Sequence, residues 1–117
     1  MRRRLGRSLR LADPVDAVFA ALADPTRRQV VRCLAEDGAA TATELAGRFP
    51  ISRQAVVKHL SALGHAGLVA GEREGREVRY RLTPGPLNDA VGWITAVGAQ
   101  WDERLARLRR HLGGRGT

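Results

Sequence analysis

At 117 residues the chain has room for one domain. With 44% apolar but only 4% aromatic residues, its core must come from Leu, Val and Ala. One cysteine, Cys33, excludes a disulfide within the chain, and no apolar run approaches the roughly 18 residues of a membrane span. The net charge of +8 belongs mostly to the ends: five arginines precede residue 11 and five follow residue 103. Between them lie ten basic residues and all twelve acidic ones, so composition permits nucleic-acid binding without establishing it. The basic start meets Asp13, Pro14 and Asp16 before any signal-type apolar stretch develops, and a cytoplasmic location is expected.

Residues 1–12 show no periodicity and read as a basic flexible arm; residues 113–117 read as a flexible tail, leaving 13–112 for the domain. Asp13 offers an N-cap with Pro14 at the first helical position, followed by Val15, Val18, Phe19 and Leu22 at helical spacing. Asp24-Pro25 repeats the device for a second helix, with Val30, Val31 and Leu34 on its buried side and Gly38 as terminator. Thr41-Ala-Thr-Glu44 is a capping-box pattern that opens a short helix to about Arg48. Phe49-Pro50-Ile51 breaks it, and Ser52 caps a fourth helix that Gly67 stops.

After Gly67 the period changes. Leu68–Ala70 and Val78–Leu82 are strand-like, with the charged stretch 72–76 between them carrying Gly75 at its turn. Thr83-Pro84-Gly85-Pro86 then launches a last helix to about Leu112, along which Leu87, Val91, Ile94, Trp101, Leu105, Leu108 and Leu112 recur at spacings of three, four or seven. The fold class is mainly α with a small β-hairpin: helix, helix, short helix, turn, helix, two strands, helix. Its middle is a winged helix-turn-helix.

A recognition helix shows one face to its own core and the other to base edges in the major groove. At 100° per residue, Val56, Leu60 and Leu63 share one side of the fourth helix; Gln54, Lys58, Ser61 and His65 fall opposite, with Arg53 and Val57 on the flank. Arg53 suits a guanine edge, Gln54 an adenine edge and Val57 a thymine methyl. Ser52 and Lys58 suit phosphates, and Thr41, Thr43 and Ser61 complete the DNA-facing candidates. In the hairpin Arg73, Arg76 and Arg79 alternate with Glu72, Glu74 and Glu77; they read either as DNA contacts, Arg76 above all, or as ion pairs across the strands. A solvated amphipathic helix, or a winged helix turned protein-interaction module without specific DNA binding, stays open beside the DNA reading.

The stretches Phe19–Arg28, Glu44-Leu-Ala, Ser52–Leu60, Leu63–Val69 and Glu74–Leu82 resemble, in order and spacing, the ArsR/SmtB family of transcriptional repressors over roughly residues 14–112. The resemblance implies a homodimer that binds double-stranded DNA at an inverted-repeat operator. It also implies a dimer interface between the first and last helices, here Val15, Phe19 and Leu22 with Leu87, Val91, Ile94, Trp101, Leu105 and Leu108. Metal-sensing members carry Cys-x-Cys at the third helix or paired ligands on the last; the third helix here has no cysteine, and Asp89, Asp102, Glu103 and His111 lack the paired spacing. No metal site, no cofactor and no membrane partner are expected, and no effector can be named. His59 reads as a packed or hydrogen-bonded residue and Cys33 as a small core residue. No nucleophile–base pair, paired carboxylates or Gly-rich phosphate loop points to an enzyme.

Overall fold

A computed structural model describes residues 13–116, with side chains as far as Gly113; the basic arm expected over 1–12 lies outside the described residues. The elements run α1 (Pro14–Leu22), α2 (Pro25–Asp37), β1 (Ala40–Thr41), α3 (Ala42–Ala46), α4 (Arg53–His65), β2 (Val69–Glu74), β3 (Glu77–Leu82) and α5 (Pro84–Gly116).

Each of the first four helices starts on a residue whose side chain takes up its orphan N–H groups. Asp13 accepts from the Val15 N–H at 2.9 Å, and Asp24 accepts from Thr26 and Arg27 at 2.7 and 3.2 Å. Proline follows both, where no N–H is missed. Thr41 and Glu44 close a reciprocal capping box at 3.1 and 2.9 Å. Ser52 accepts from Ala55 at 3.1 Å.

Two of the stops are glycines with positive φ. Gly38 ends α2 with φ of +87°, a backbone that L side chains rarely adopt. Gly67, at +77°, turns the chain after α4 so that the Leu68 N–H reaches back to the Leu63 carbonyl at 2.9 Å.

The core forms where these helices meet the sheet. Val18, Val30, Leu45, Val56, Leu60, Leu63 and Leu68 are fully buried, with Ala40, Ala42 and Ala90 filling the narrow places. Half-buried Phe19, Phe49, Ile51, Tyr80 and Leu87 pack around its edge. Every large buried residue is aliphatic.

Two features differ from the sequence expectation in the sheet. It has three antiparallel strands in the order β1-β3-β2, because Ala40 and Thr41 pair with Tyr80 and Arg79. The hairpin is also longer: Glu72–Glu74, read as turn, are paired strand residues, and the loop is only Gly75-Arg76. Gly75 has φ of +64° and Arg76 does not, the arrangement of a type II′ turn.

At the other end, α5 continues to Gly116, past the expected stop near Leu112, since no proline follows to break it. Its 33 residues span about 50 Å at 1.5 Å per residue.

Candidate nucleic-acid interface

α4 is two-sided. Val56, Leu60 and Leu63 face the core at 0–1% exposure, while Ser52, Arg53, Gln54, Val57, Lys58, Ser61 and His65 are exposed. The same 100° rotation that buries one set displays the other. Val57, an aliphatic residue 37% exposed, has no packing role that requires that position.

Thr43 links three elements at the head of this helix. Its hydroxyl donates to Glu77 Oε1 at 3.0 Å and accepts from Arg53 Nε at 3.1 Å. α3, the N-terminus of α4 and the start of β3 are thereby held in one geometry, and the terminal nitrogens of Arg53 remain outward.

The base of the wing is an ion-pair network. Arg79 is bidentate on Glu74 at 3.0 and 3.2 Å, and its Nη1 donates to Glu44 Oε1 at 3.3 Å and the Ala39 carbonyl at 3.2 Å. The Glu74 carboxylate, ahead of Glu44, raises the Arg79 guanidinium above its ordinary value. Glu44 in turn is held below the usual carboxylate value, first by the Thr41 N–H and then by Arg79.

The geometry bears on two of the sequence-based DNA candidates. Thr41 is 3% exposed, with its hydroxyl spent on the Glu44 N–H, so its side chain faces the interior. Arg79 has its guanidinium occupied by two carboxylates and a carbonyl, so of the two readings of the hairpin charges the ion-pair one applies to it. Arg73 and Arg76 are exposed, Arg76 in the turn itself. Arg27, which was not among the candidates, lies beside α4: its Nε donates to His59 Nδ1 at 3.4 Å, and it lines a groove with Lys58 and His65. Its place in a second helix carried no signal, since the contact spans 32 residues of sequence.

The last helix presents a second surface. Leu87 and Ala90 pack inward, and Phe19 of α1 meets Trp93 edge to face with ring centroids 5.5 Å apart. From Val91 onward the apolar stripe is uncovered: Val91, Ile94, Val97, Trp101, Leu108 and Leu112 are 44–57% exposed. Val15, Phe19, Leu22 and Leu105 are half-buried alongside. Trp93 and Val97 broaden the stripe beyond the sequence-derived set.

Cys33 departs from its expected place in the core. It is half-buried at the edge, where its sulfur accepts from Arg48 Nη1 at 3.0 Å and lies 3.6 Å from Asp37. The sulfur, ahead of the Asp37 carboxylate, raises Arg48 above its ordinary value. Among the described residues no three His, Cys, Asp or Glu side chains converge to hold a metal ion.

Comparison with known proteins gives one consistent family. A family model described as a helix-turn-helix domain matches residues 22–72. The chain is similar to the transcriptional repressor SdpR of Bacillus subtilis (strain 168), at 35% identity over 77 residues that cover 66% of this chain and 84% of that protein. It is 42% identical over 77 residues to the HTH-type transcriptional regulator CmtR of Mycobacterium bovis, covering 66% of this chain and 64% of that one. Among solved structures, an ArsR-like transcriptional regulator from Rhodococcus sp. RHA1 superposes with a TM-score of 0.72 at 42% identity, covering 83% of this chain and 91% of that one.

Proposed function

The chain belongs to the ArsR family of winged helix-turn-helix transcriptional regulators, and on that premise we propose that it is a homodimeric repressor of an inverted-repeat operator. The observation that carries the reading is the outer face of α4. Its N-terminal turns offer Arg53, Gln54 and Val57 to base edges, and Ser52, Lys58 and Ser61 to phosphates and sugars. Thr43 ties that face to the wing through Glu77, so that Arg73 and Arg76 reach the flanking duplex as one body with α4. Repression rather than activation is supported by the name of SdpR.

Dimerisation is supported by the uncovered stripe of α5, which at this size marks a protein interface. Two copies related by a two-fold axis present two α4 helices, which is why the operator should be an inverted repeat. A DNA-bound regulator of this kind works in the cytoplasm. The lack of a cysteine in the third helix and of paired ligand spacing on the last supports a trigger other than the family's usual metal centres.

A gel shift on the DNA upstream of its own gene, with scrambled competitor and a salt series, tests this function. Arg53→Ala should weaken specific binding by about 1–3 kcal/mol, the scale of one good base contact, and leave scrambled DNA nearly unaffected. A wild type that does not distinguish any genomic fragment from scrambled DNA would leave the protein-interaction reading in its place.

A further inference from the structure

Between α2 and α4 lies a basic groove of about 490 Å³, lined by Arg27, Lys58, His59, Ser61 and His65 over a floor of Ala55 and Ala62. We propose that this groove is a second phosphate site of the DNA interface, in which Arg27 of α2 and Lys58 of α4 clasp the backbone beside the major groove. The proposal rests on the DNA-binding reading above and extends the contact surface onto a helix outside the helix-turn-helix.

The geometry favours a fixed anion contact. His59 Nδ1 accepts from Arg27 Nε at 3.4 Å, which steadies the guanidinium and leaves both terminal nitrogens to donate. Lys58 and His65 are seven residues apart, two helical turns, so they stand in line on the same outer side of α4. The alanine floor keeps the surface low between the cationic tips, so that a phosphodiester can approach.

The cations of this groove form no salt bridge among the described residues, although the Asp24 carboxylate feels the charge of Arg27. Arg79, Arg48 and Arg107 each have a carboxylate at 3.0–3.4 Å; among the described residues Arg27, Lys58 and His65 have none in salt-bridge range. No carboxylate lines the groove. Asp24, whose carboxyl is held below its usual value chiefly by the Arg27 N–H, is the nearby acid, and its oxygen accepts the backbone N–H groups of Thr26 and Arg27.

The openness of the groove decides between occupants. Small-molecule sites enclose most of their ligand, whereas this surface is a broad shelf continuous with the exposed face of α4, at Lys58, Ser61 and His65. A duplex seated on that face brings a phosphate strand to its edge.

The test measures affinity for an operator duplex and a scrambled duplex of equal length, by fluorescence anisotropy, across a salt series. Arg27→Ala should weaken both duplexes by a similar factor and make the log–log salt slope shallower by about 0.9 per protomer, the signature of one lost phosphate contact. Arg27→Lys should recover most of the slope, because it restores charge without the guanidinium shape. Arg27→Gln, which removes the charge but keeps most of a half-buried side chain, gives the same readout even should Arg27→Ala unfold the chain. Wild-type binding with an unchanged slope in Arg27→Ala and Arg27→Gln overturns this site alone; loss confined to the operator overturns it too, since that marks base readout. A wild type that binds neither duplex overturns the DNA reading itself.

Discussion

Replacing Trp101 by alanine should separate the dimer without unfolding the protomer. Trp101 is 56% exposed, which on an indole of about 250 Å² leaves roughly 140 Å² for a partner to cover. At about 25 cal/mol per Å² that cover is worth about 3.5 kcal/mol per protomer. A two-fold interface counts the residue twice, so Trp101→Ala removes about 5 kcal/mol once the apolar surface that alanine keeps is subtracted. Ordering costs and imperfect fit reduce such area-based figures. The expected outcome is therefore a dimer Kd raised at least about a hundredfold, or about 2.7 kcal/mol. Sedimentation equilibrium over a range of concentrations measures it directly. Tryptophan emission gives a second readout, since burial of Trp93 and Trp101 should shift it to the blue as wild-type concentration rises. Thermal unfolding of the dilute protein should match wild type, because the protomer's own core lies elsewhere at Leu45, Leu60, Leu63 and Leu68. A wild type that stays monomeric at about 100 μM, or a variant that dimerises as tightly as wild type, refutes the reasoning.

Thr41→Val keeps the shape of a buried side chain and deletes only the capping hydroxyl, so stability should fall by about 1 kcal/mol in chemical denaturation with the operator affinity of the folded protein unchanged. Gly71→Ala would set a Cβ 2.7 Å from Val78 Cγ1 and 3.2 Å from the Tyr80 ring; β2 or those side chains must move, and a loss of about 1–3 kcal/mol is expected in the same assay. Arg76→Ala should weaken operator and scrambled DNA alike and reduce the salt slope, whereas Arg79→Ala should lower the melting temperature by releasing Glu44 and Glu74. Asp24 and Glu44 have folded values below their ordinary ones, so they bind protons less readily when folded. Their contribution is complete above the ordinary carboxylate range of about 4 and is lost as pH falls through the lower folded values. Melting curves from pH 6 downward should therefore show a flatter acid limb in Asp24→Asn and Glu44→Gln than in wild type.

The features legible in the chain were those that depend on neighbours within about four positions. Asp13, Asp24, Thr41 and Ser52 cap their helices because a short acceptor at that spot meets the next N–H groups whatever surrounds it. Gly38, Gly67 and Gly75 turn the chain because only they adopt positive φ cheaply. The burial of Val56, Leu60 and Leu63 with Gln54, Lys58 and Ser61 outward follows from helical rotation alone. The winged helix-turn-helix, the exposed outer face of α4 and the apolar stripe of α5 were all written in that local code.

The tertiary structure decided which long-range partner each charged or polar group meets. Arg79 found Glu44 and Ala39, 35 and 40 positions away, which occupied its guanidinium within the protein. The pairing of Ala40 and Thr41 with β3 made a third strand from two residues that have no strand pattern of their own, and it turned Thr41 inward. Cys33 met Arg48 at the edge instead of entering the core, and Arg27 came to rest against His59 on the free flank of α4. A capping bond is fixed by the geometry of one turn, but a charge has many possible partners of opposite sign. Only the packing of helices on the sheet brings one of them within 3 or 4 Å, and so decides which cations are paired within the protein and which stay exposed without a carboxylate.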